Sequence, residues 1–256
     1  MNEVLAWWLV LLIAFGVNLL LWSREWKLAA MRPRLGAFLR SPLRPEAMVW
    51  LSGIYVMGCG LRAVFPKADV ERLALFDTWF SSVFFGRSIA TVAELAFAAQ
   101  WSIVVAGLGY PVLARWVLGA IAVAEVFSWY SVVTTHFLGN CIEESLWGLA
   151  FSAVTFALWR SRNQLLALGT AAYVAFMACV DVPMYLGRLK AQLSQGQRYF
   201  GFWEGLLDLN ERRVVSWSIS DWEPEIPWMT LYFTVAVWVS IRLCRFAPRS
   251  RLSENG

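Results

Sequence analysis

The chain reads as an all-α, polytopic transmembrane helix bundle with about seven spanning helices, its N-terminus outside and its C-terminus cytoplasmic. Three observations predict this. Of its 256 residues, 59% are hydrophobic and 16% charged, where soluble domains run nearer half apolar and a quarter charged. Seven stretches are apolar enough and long enough to cross a bilayer, which takes about 20 residues of helix. Basic residues gather in alternate connections, as the positive-inside rule requires of one side.

The first span, about 4–22, follows a start that carries Glu3 and no basic residue. No small-residue cleavage site comes after it, so it reads as a retained helix rather than a signal peptide. The connection from Ser23 to Glu46 holds Arg24, Lys27, Arg32, Arg34, Arg40 and Arg44 against Glu25 and Glu46, which assigns it to the cytoplasm. Within it, Leu28 to Arg40 is a candidate helix on anionic headgroups. Spans at about 47–64, 80–107, 112–135, 139–159, 164–186 and 227–245 then alternate. Arg115, Arg160, Arg162, Arg242, Arg245, Arg249 and Arg251 fall inside. The charge-balanced segment around Lys67 to Asp77 falls outside, as does the connection from about 187 to 226. The whole chain, 1–256, is expected to be a single membrane domain of a multi-pass integral protein of the plasma (inner) membrane.

In the outer connection Glu204, Asp208 and Glu211 share one helical face, and Tyr199, Trp203, Leu206 and Leu207 another, so an amphipathic surface helix is expected. Many of the 16 tryptophans lie near helix ends (Trp7, Trp8, Trp22, Trp26, Trp79, Trp159, Trp222, Trp228), where their rings anchor at the headgroup level. No internal repeat divides the seven helices. The stripe Ala120, Ala124 and Ser128 suits close helix packing. Four cysteines show no metal spacing and read as small apolar residues, with a disulfide between Cys141 and Cys179 left open.

Ionisable groups inside spans are costly and mark sites or structural pairs. Arg87 and Glu94 are seven apart on the third helix, hence on one face, with Ser88 and Thr91 between. Glu125 lies at similar depth on the fourth helix, with Ser128 and Trp129 one turn on. His136 and Asn140 occupy the following turn; Glu143, Glu144 and Trp147 begin the fifth helix. Asp181 and Tyr185 end the sixth, and Arg62 the second. Most of these groups converge in the outer half, while the inner half is sparse in charge. Arg87 is expected to pair with Asp181, Glu143 or Glu144, and Glu94 with Glu125. Glu143 and Glu144 diverge by about 100°, so only one faces the site squarely.

Several chemistries are excluded. A lone histidine rules out bis-His haem and a His-rich zinc or di-iron site. No lysine lies within a span to form a retinal-type Schiff base, and no glycine-rich nucleotide loop is present. No cofactor and no metal are implied, and a net charge of +4, gathered in short loops, does not call for nucleic acid. The pair Glu143–Glu144 and the run His136 to Asn140 superficially resemble membrane glutamate proteases. A single histidine and the lack of an arginine after the pair break that pattern, and no family is identified.

The expected function is an outward-facing pocket that binds, and chemically modifies, a membrane lipid or lipophilic anionic small molecule. Glu94, Glu125, Glu143 and Asp181 would supply acid–base groups. Arg62, Arg87, Trp129, Asn140, Glu144, Trp147 and Tyr185 would hold the ligand. The alternatives are a proton- or ion-coupled transporter and a non-catalytic receptor-like or assembly subunit.

Overall fold

The structure, a computed structural model, describes residues 3–31 and 45–246. In chain order, α1 (Glu3–Met31), α2 (Pro45–Val64), β1 (Lys67–Ala68), β2 (Leu73–Ala74), α3 (Val83–Gly107), α4 (Pro111–Thr134) and α5 (Leu138–Arg160) come first. A sixth long helix is built from α6 (Gln164–Phe176), one π turn (Met177–Asp181) and α7 (Val182–Ser194). Then come α8 (Phe202–Glu211), β3 (Val214–Val215) and α9 (Ile219–Trp222). The last helix is α10 (Ile226–Leu231), a second π turn (Tyr232–Ala236) and α11 (Val237–Leu243). Seven of these units are long and apolar enough to cross a membrane.

Helix α3 is the hub, packing against α2, α4, α5 and α11. Its small buried residues Gly86, Ala90, Ala93 and Ala96 permit this, since close helix approach in lipid depends on short side chains. The unit α6–α7 packs on α5, whereas α10–α11 packs on α1, α2 and α3. No comparable packing joins these two units to each other among the described residues. Proline explains one π turn. Pro183 has no N–H to give the carbonyl four residues back, and just ahead of it the Val182 N–H reaches the Met177 carbonyl instead.

One end of the bundle is capped. It gathers the C-terminal ends of α2, α4 and α7 and the N-terminal ends of α3, α5 and α10. A small sheet of order β1-β2-β3 lies there, with Lys67 opposite Ala74 in the antiparallel pair and Leu73 beside Val214 in the parallel one. Helix α8 seats on α3 and α4. A β-carbon at Gly205 would collide with the Val133 carbonyl, so glycine is what lets α8 lie this close. Arg72, 1% exposed, fastens the cap. It donates to Asp208 at 2.7 Å, to the Asp69 carbonyl at 2.6 Å and to the Val132 carbonyl at 2.8 Å. At the opposite end Arg245 pairs with Glu25, and Gln100, Ser240 and Ser52 form a buried hydrogen-bonded string.

Several element boundaries differ from expectation. The first helix continues to Met31, and the sixth runs eight residues past 186 to Ser194. The third starts at Val83, because Trp79–Ser81 form a 3-10 turn and the Ser82 hydroxyl caps the helix by accepting from the Phe85 N–H. The basic segment 28–40 lies outside the described residues from position 32 onward. Trp7 and Trp222 are buried against each other, 5.5 Å between centroids, rather than placed as interfacial anchors. Helix α8 turns Asp208 inward to Arg72, while Phe202, Trp203 and Leu207 are exposed. Of the acidic face only Asp208 joins the seat, with Gly205, Leu206 and Leu209, while Glu204 and Glu211 stay exposed alongside Phe202, Trp203 and Leu207. All four cysteines are free.

Lys67 sits buried where β1 meets the start of α3. Its ammonium donates to the carbonyls of Phe80 at 2.6 Å and Ser82 at 3.0 Å, and its stem lies against Gly86. Burial pulls its pKa down from 10.5 to about 7. The unfolded chain then holds this proton across a pH range in which the native protein has lost it, so stability rises as pH climbs from about 7 to about 10.5. Thermal unfolding of purified Lys67→Met against wild type checks this: the variant's melting temperature should lose that upward slope.

Candidate functional site

Arg87, on the second turn of α3, is the centre of a buried ion cluster. Its Nη2 donates to Glu94 at 2.5 Å and to Glu125 at 2.7 Å, and its Nη1 lies 3.6 Å from Glu143. Helical spacing produces the first contact, because residues seven apart return to one face. Close approach of α4 and α5 produces the others. A β-carbon on Gly139 would strike the Phe127 carbonyl, so glycine here lets the start of α5 press against α4. Thr135, at φ 58°, turns the chain between them.

The neighbours organise the carboxylates. Thr91 donates to Glu125 at 2.7 Å and accepts from the Trp129 indole at 3.0 Å. Tyr232, in the second π turn, donates to the other oxygen of Glu94 at 2.7 Å. Arg62 lies 3.8 Å from that oxygen, and its guanidinium stands over the Tyr232 ring. Asn140 donates to Glu143 at 3.3 Å and is itself held by Ser131. Every charged member of this group is under 8% exposed. Ser88, by contrast, bonds the Phe84 carbonyl and takes no part.

A second group lies toward the capped end. Glu144 on α5 and Asp181 in the first π turn lie close to each other, with Tyr173 and Tyr185 beside them. Beyond Asp181, Arg188 pairs with Glu225 at 3.3 Å and with Glu71 at 2.9 Å. That pair spans α7 and the turn before α10, which are otherwise apart. A cavity of about 290 Å³ opens here, lined by Glu71, Phe137, Arg188 and Gln192 among others. A second, apolar cavity of about 360 Å³ runs along the lipid-facing side of α1, α2 and α3. Neither is lined by Arg87 or its carboxylates.

The structure thus brings together Arg62, Arg87, Glu94, Glu125, Trp129, Asn140 and Glu143, and sets Glu144, Asp181 and Tyr185 as a neighbouring group. Arg87 pairs with Glu143 as expected but not with Glu144 or Asp181, because those two face the α5–α6 side. Trp147 belongs to an aromatic layer with Phe151, their centroids 5.9 Å apart. Sequence reasoning missed Tyr232, Tyr173, Arg188 and Glu225. Tyrosines and an acid near helix ends carry no periodic signal, and only the long-range packing of the α10–α11 unit on α3 selects Tyr232. Glu94, Glu125 and Glu143 each offer an oxygen within 4.8 Å of the others, a spacing that could suit a metal ion. The groups they hold are the guanidinium nitrogens of Arg87.

Removing Arg87 would leave three carboxylates buried without their common partner. Breaking a buried pair costs about 3–5 kcal/mol. Arg87→Gln should therefore lower the thermal midpoint of the detergent-solubilised protein sharply, while Ser88→Ala leaves it unchanged; fluorescence-detected size-exclusion after heating measures both. Compared with models of known families, with curated proteins and with solved structures, the chain matches none.

Proposed function

We propose that this multi-pass membrane protein binds a lipid or lipophilic small molecule that enters sideways from the bilayer, and acts on its polar head by acid–base chemistry. One observation carries the reading. The two π-interrupted units pack on different helices, α6–α7 on α5 and α10–α11 on α1, α2 and α3, and not comparably on each other. The face of the bundle between them, on the Glu94 side of α3, carries Tyr173, Tyr185 and Tyr232, all only partly buried, and this reading takes it as a lateral cleft. π turns inside helices recur at functional sites, and here each contributes a site residue, Asp181 and Tyr232.

Under this reading the roles divide by position. Glu94 with Tyr232, and Glu143 with Asn140, present proton-transfer groups toward the cleft. Glu125, held by Thr91 and Arg87, tunes them from behind. Asp181 with Glu144 serves the wall nearer the cap, Tyr185 lines the entry, and Trp147 packs behind it on Phe151. Arg62 and Arg87 act as fixed positive charges that hold the carboxylates in place. An anionic headgroup has little to bind, because Arg87 already faces three carboxylates and Arg62 stacks on Tyr232. A proton- or ion-coupled transporter would draw on the same carboxylates, and proton flux into liposomes that disappears in Glu94→Gln would favour it.

The basic residues Arg115, Arg160, Arg162 and Arg242 at the uncapped ends of their helices support a cytoplasmic position for that end. The capped end, with α8, is then outside, and the membrane is the plasma (inner) membrane. Single cysteines introduced at Leu207 and at Arg162 in a background with the native cysteines removed test this. An impermeant maleimide added to intact cells should label the first and spare the second.

Lateral access has its own test. Dicyclohexylcarbodiimide, a carboxyl reagent that partitions into bilayers, should modify Glu143, Glu144 or Asp181 in protein-containing vesicles, as read by peptide mass spectrometry. A water-soluble carbodiimide should reach Glu71 and Glu223 instead. Absence of any lipophilic adduct on the three cleft carboxyls, with the surface adducts present, would overturn the reading.

A further inference from the structure

Each π-interrupted unit is anchored to its own neighbours. On α7, Gln192 donates to the Thr135 carbonyl at 2.6 Å and accepts from the Phe137 N–H at 3.2 Å, which fastens the helix to the turn between α4 and α5. On the other unit, Asn18 of α1 donates to the Phe233 carbonyl at 2.8 Å and the Trp7 indole donates to Thr230 at 3.1 Å. Between the units the connection is one side chain. Arg188 of α7 reaches Glu225, the residue before α10, and no other hydrogen bond or ion pair joins the two sides among the described residues.

That connection differs in kind from the Arg87 node. Glu225 is buried, and its second oxygen accepts from the Trp228 indole at 2.6 Å, so it stays in place whatever Arg188 does. The Arg188 guanidinium has other partners to hand. It meets Glu71 at 2.9 Å and stands over the rings of Phe137 and Tyr185, 5.9 and 5.5 Å from their centroids. Its side chain is 23% exposed, and the cavity lined by Glu71, Phe137 and Gln192 gives it room to withdraw from Glu225. Partly hydrated ion pairs are weak and screened by salt, whereas fully buried ones are costly to break. The Arg188 link is therefore able to open and re-form while the Arg87 node stays intact.

We infer that Arg188 and Glu225 form a reversible clasp, which sets how far the α6–α7 and α10–α11 units separate at the capped end of the bundle. The inference rests on the lateral-cleft reading and supplies its means of control. Arg87 and its three carboxylates are buried, and neither cavity is lined by them, so with the clasp shut the interior is closed to the bilayer. When the guanidinium moves onto Glu71 and Phe137, the polar tie between the units is lost. The π turns at Met177–Asp181 and Tyr232–Ala236 are then the points at which each helix bends. Gln192, Asn18 and Trp7 keep their bonds throughout, so the motion is the bending of tethered helices and not their detachment.

The test is double electron–electron resonance on the full-length protein in nanodiscs, with nitroxides at Leu186→Cys and Leu231→Cys, both exposed positions, in a background lacking the native cysteines. A second pair, Val92→Cys and Val126→Cys, reports the α3–α4 wall. Arg188→Gln and Glu225→Gln should each raise the population at longer Leu186–Leu231 distances by about threefold. The combined variant should do no more than either alone, because both remove one interaction. High salt should shift the unsubstituted clasp the same way and leave Arg188→Gln unmoved, and the Val92–Val126 distance should stay constant throughout. Unchanged Leu186–Leu231 distances, an additive double variant, or a salt response that persists in Arg188→Gln would each overturn the clasp. So would a shift in the Val92–Val126 pair, since the whole fold would then have loosened. Arg188→Gln should also speed dicyclohexylcarbodiimide addition to Glu144 or Asp181 by about threefold. Adducts without any distance change would remove the clasp and leave lateral entry standing. Distance changes without adducts in any variant would remove lateral entry and leave the clasp.

Discussion

Arg87 is the constraint around which the bundle is organised. A single guanidinium, buried at the level of the second turn of α3, satisfies carboxylates from its own helix, from α4 and from α5. Two unit charges about 4 Å apart interact by about 4 kcal/mol at an effective dielectric of 20, and each carboxylate pays a desolvation cost that only such pairing offsets. The three contacts therefore have to form together. Planar, forked geometry is what makes this achievable, because a guanidinium presents several donors in fixed directions where an ammonium offers one point of charge. Five helices are drawn into register by this node, since Glu94 also receives Arg62 from α2 and Tyr232 from the π turn of the α10–α11 unit.

The rest of the architecture follows from how unequally the helices are held. Helices α2 to α5 form a continuous wall with α3 at its centre, glycine and alanine permitting short distances. The units α6–α7 and α10–α11 are peripheral, each attached along one side and each interrupted by a π turn. At the cap, Arg188 reaches from α7 to Glu225, so the two loosely held units are joined by an ion pair rather than by packing. The charge of the interior and the freedom of its flanks thus coincide at the same face of the molecule.

Much of this was legible in the chain. Hydropathy located all seven spans to within a few residues at most ends, and Gln164 as a helix start. Spacing put Arg87, Thr91 and Glu94 on one face and placed Glu125 and Glu143 near them. Other features were not legible, for physical reasons. The π turns leave no compositional trace beyond Pro183. The inward turn of Asp208 depends on Arg72, 136 residues away, and amphipathic periodicity alone groups it with Glu204 and Glu211, which are exposed. The separation of Glu144 and Asp181 from Arg87 is decided by the rotation of α5, which a 3.6-residue repeat cannot fix once two adjacent acids compete for one direction.

The π turn at Met177–Asp181 has a mechanical corollary. A π turn holds one residue more than the α turn it replaces, and one residue corresponds to about 100° of rotation. Sliding that surplus residue toward the other end of the helix would swing the Asp181 carboxyl away from Glu144 while every backbone amide nearby kept a partner. The helix would neither unfold nor translate. Such a swivel would let a wall of the bundle exchange a carboxylate for the neighbouring Val180 or Val182, converting a wet surface to a greasy one at the cost of a single displaced hydrogen-bond register.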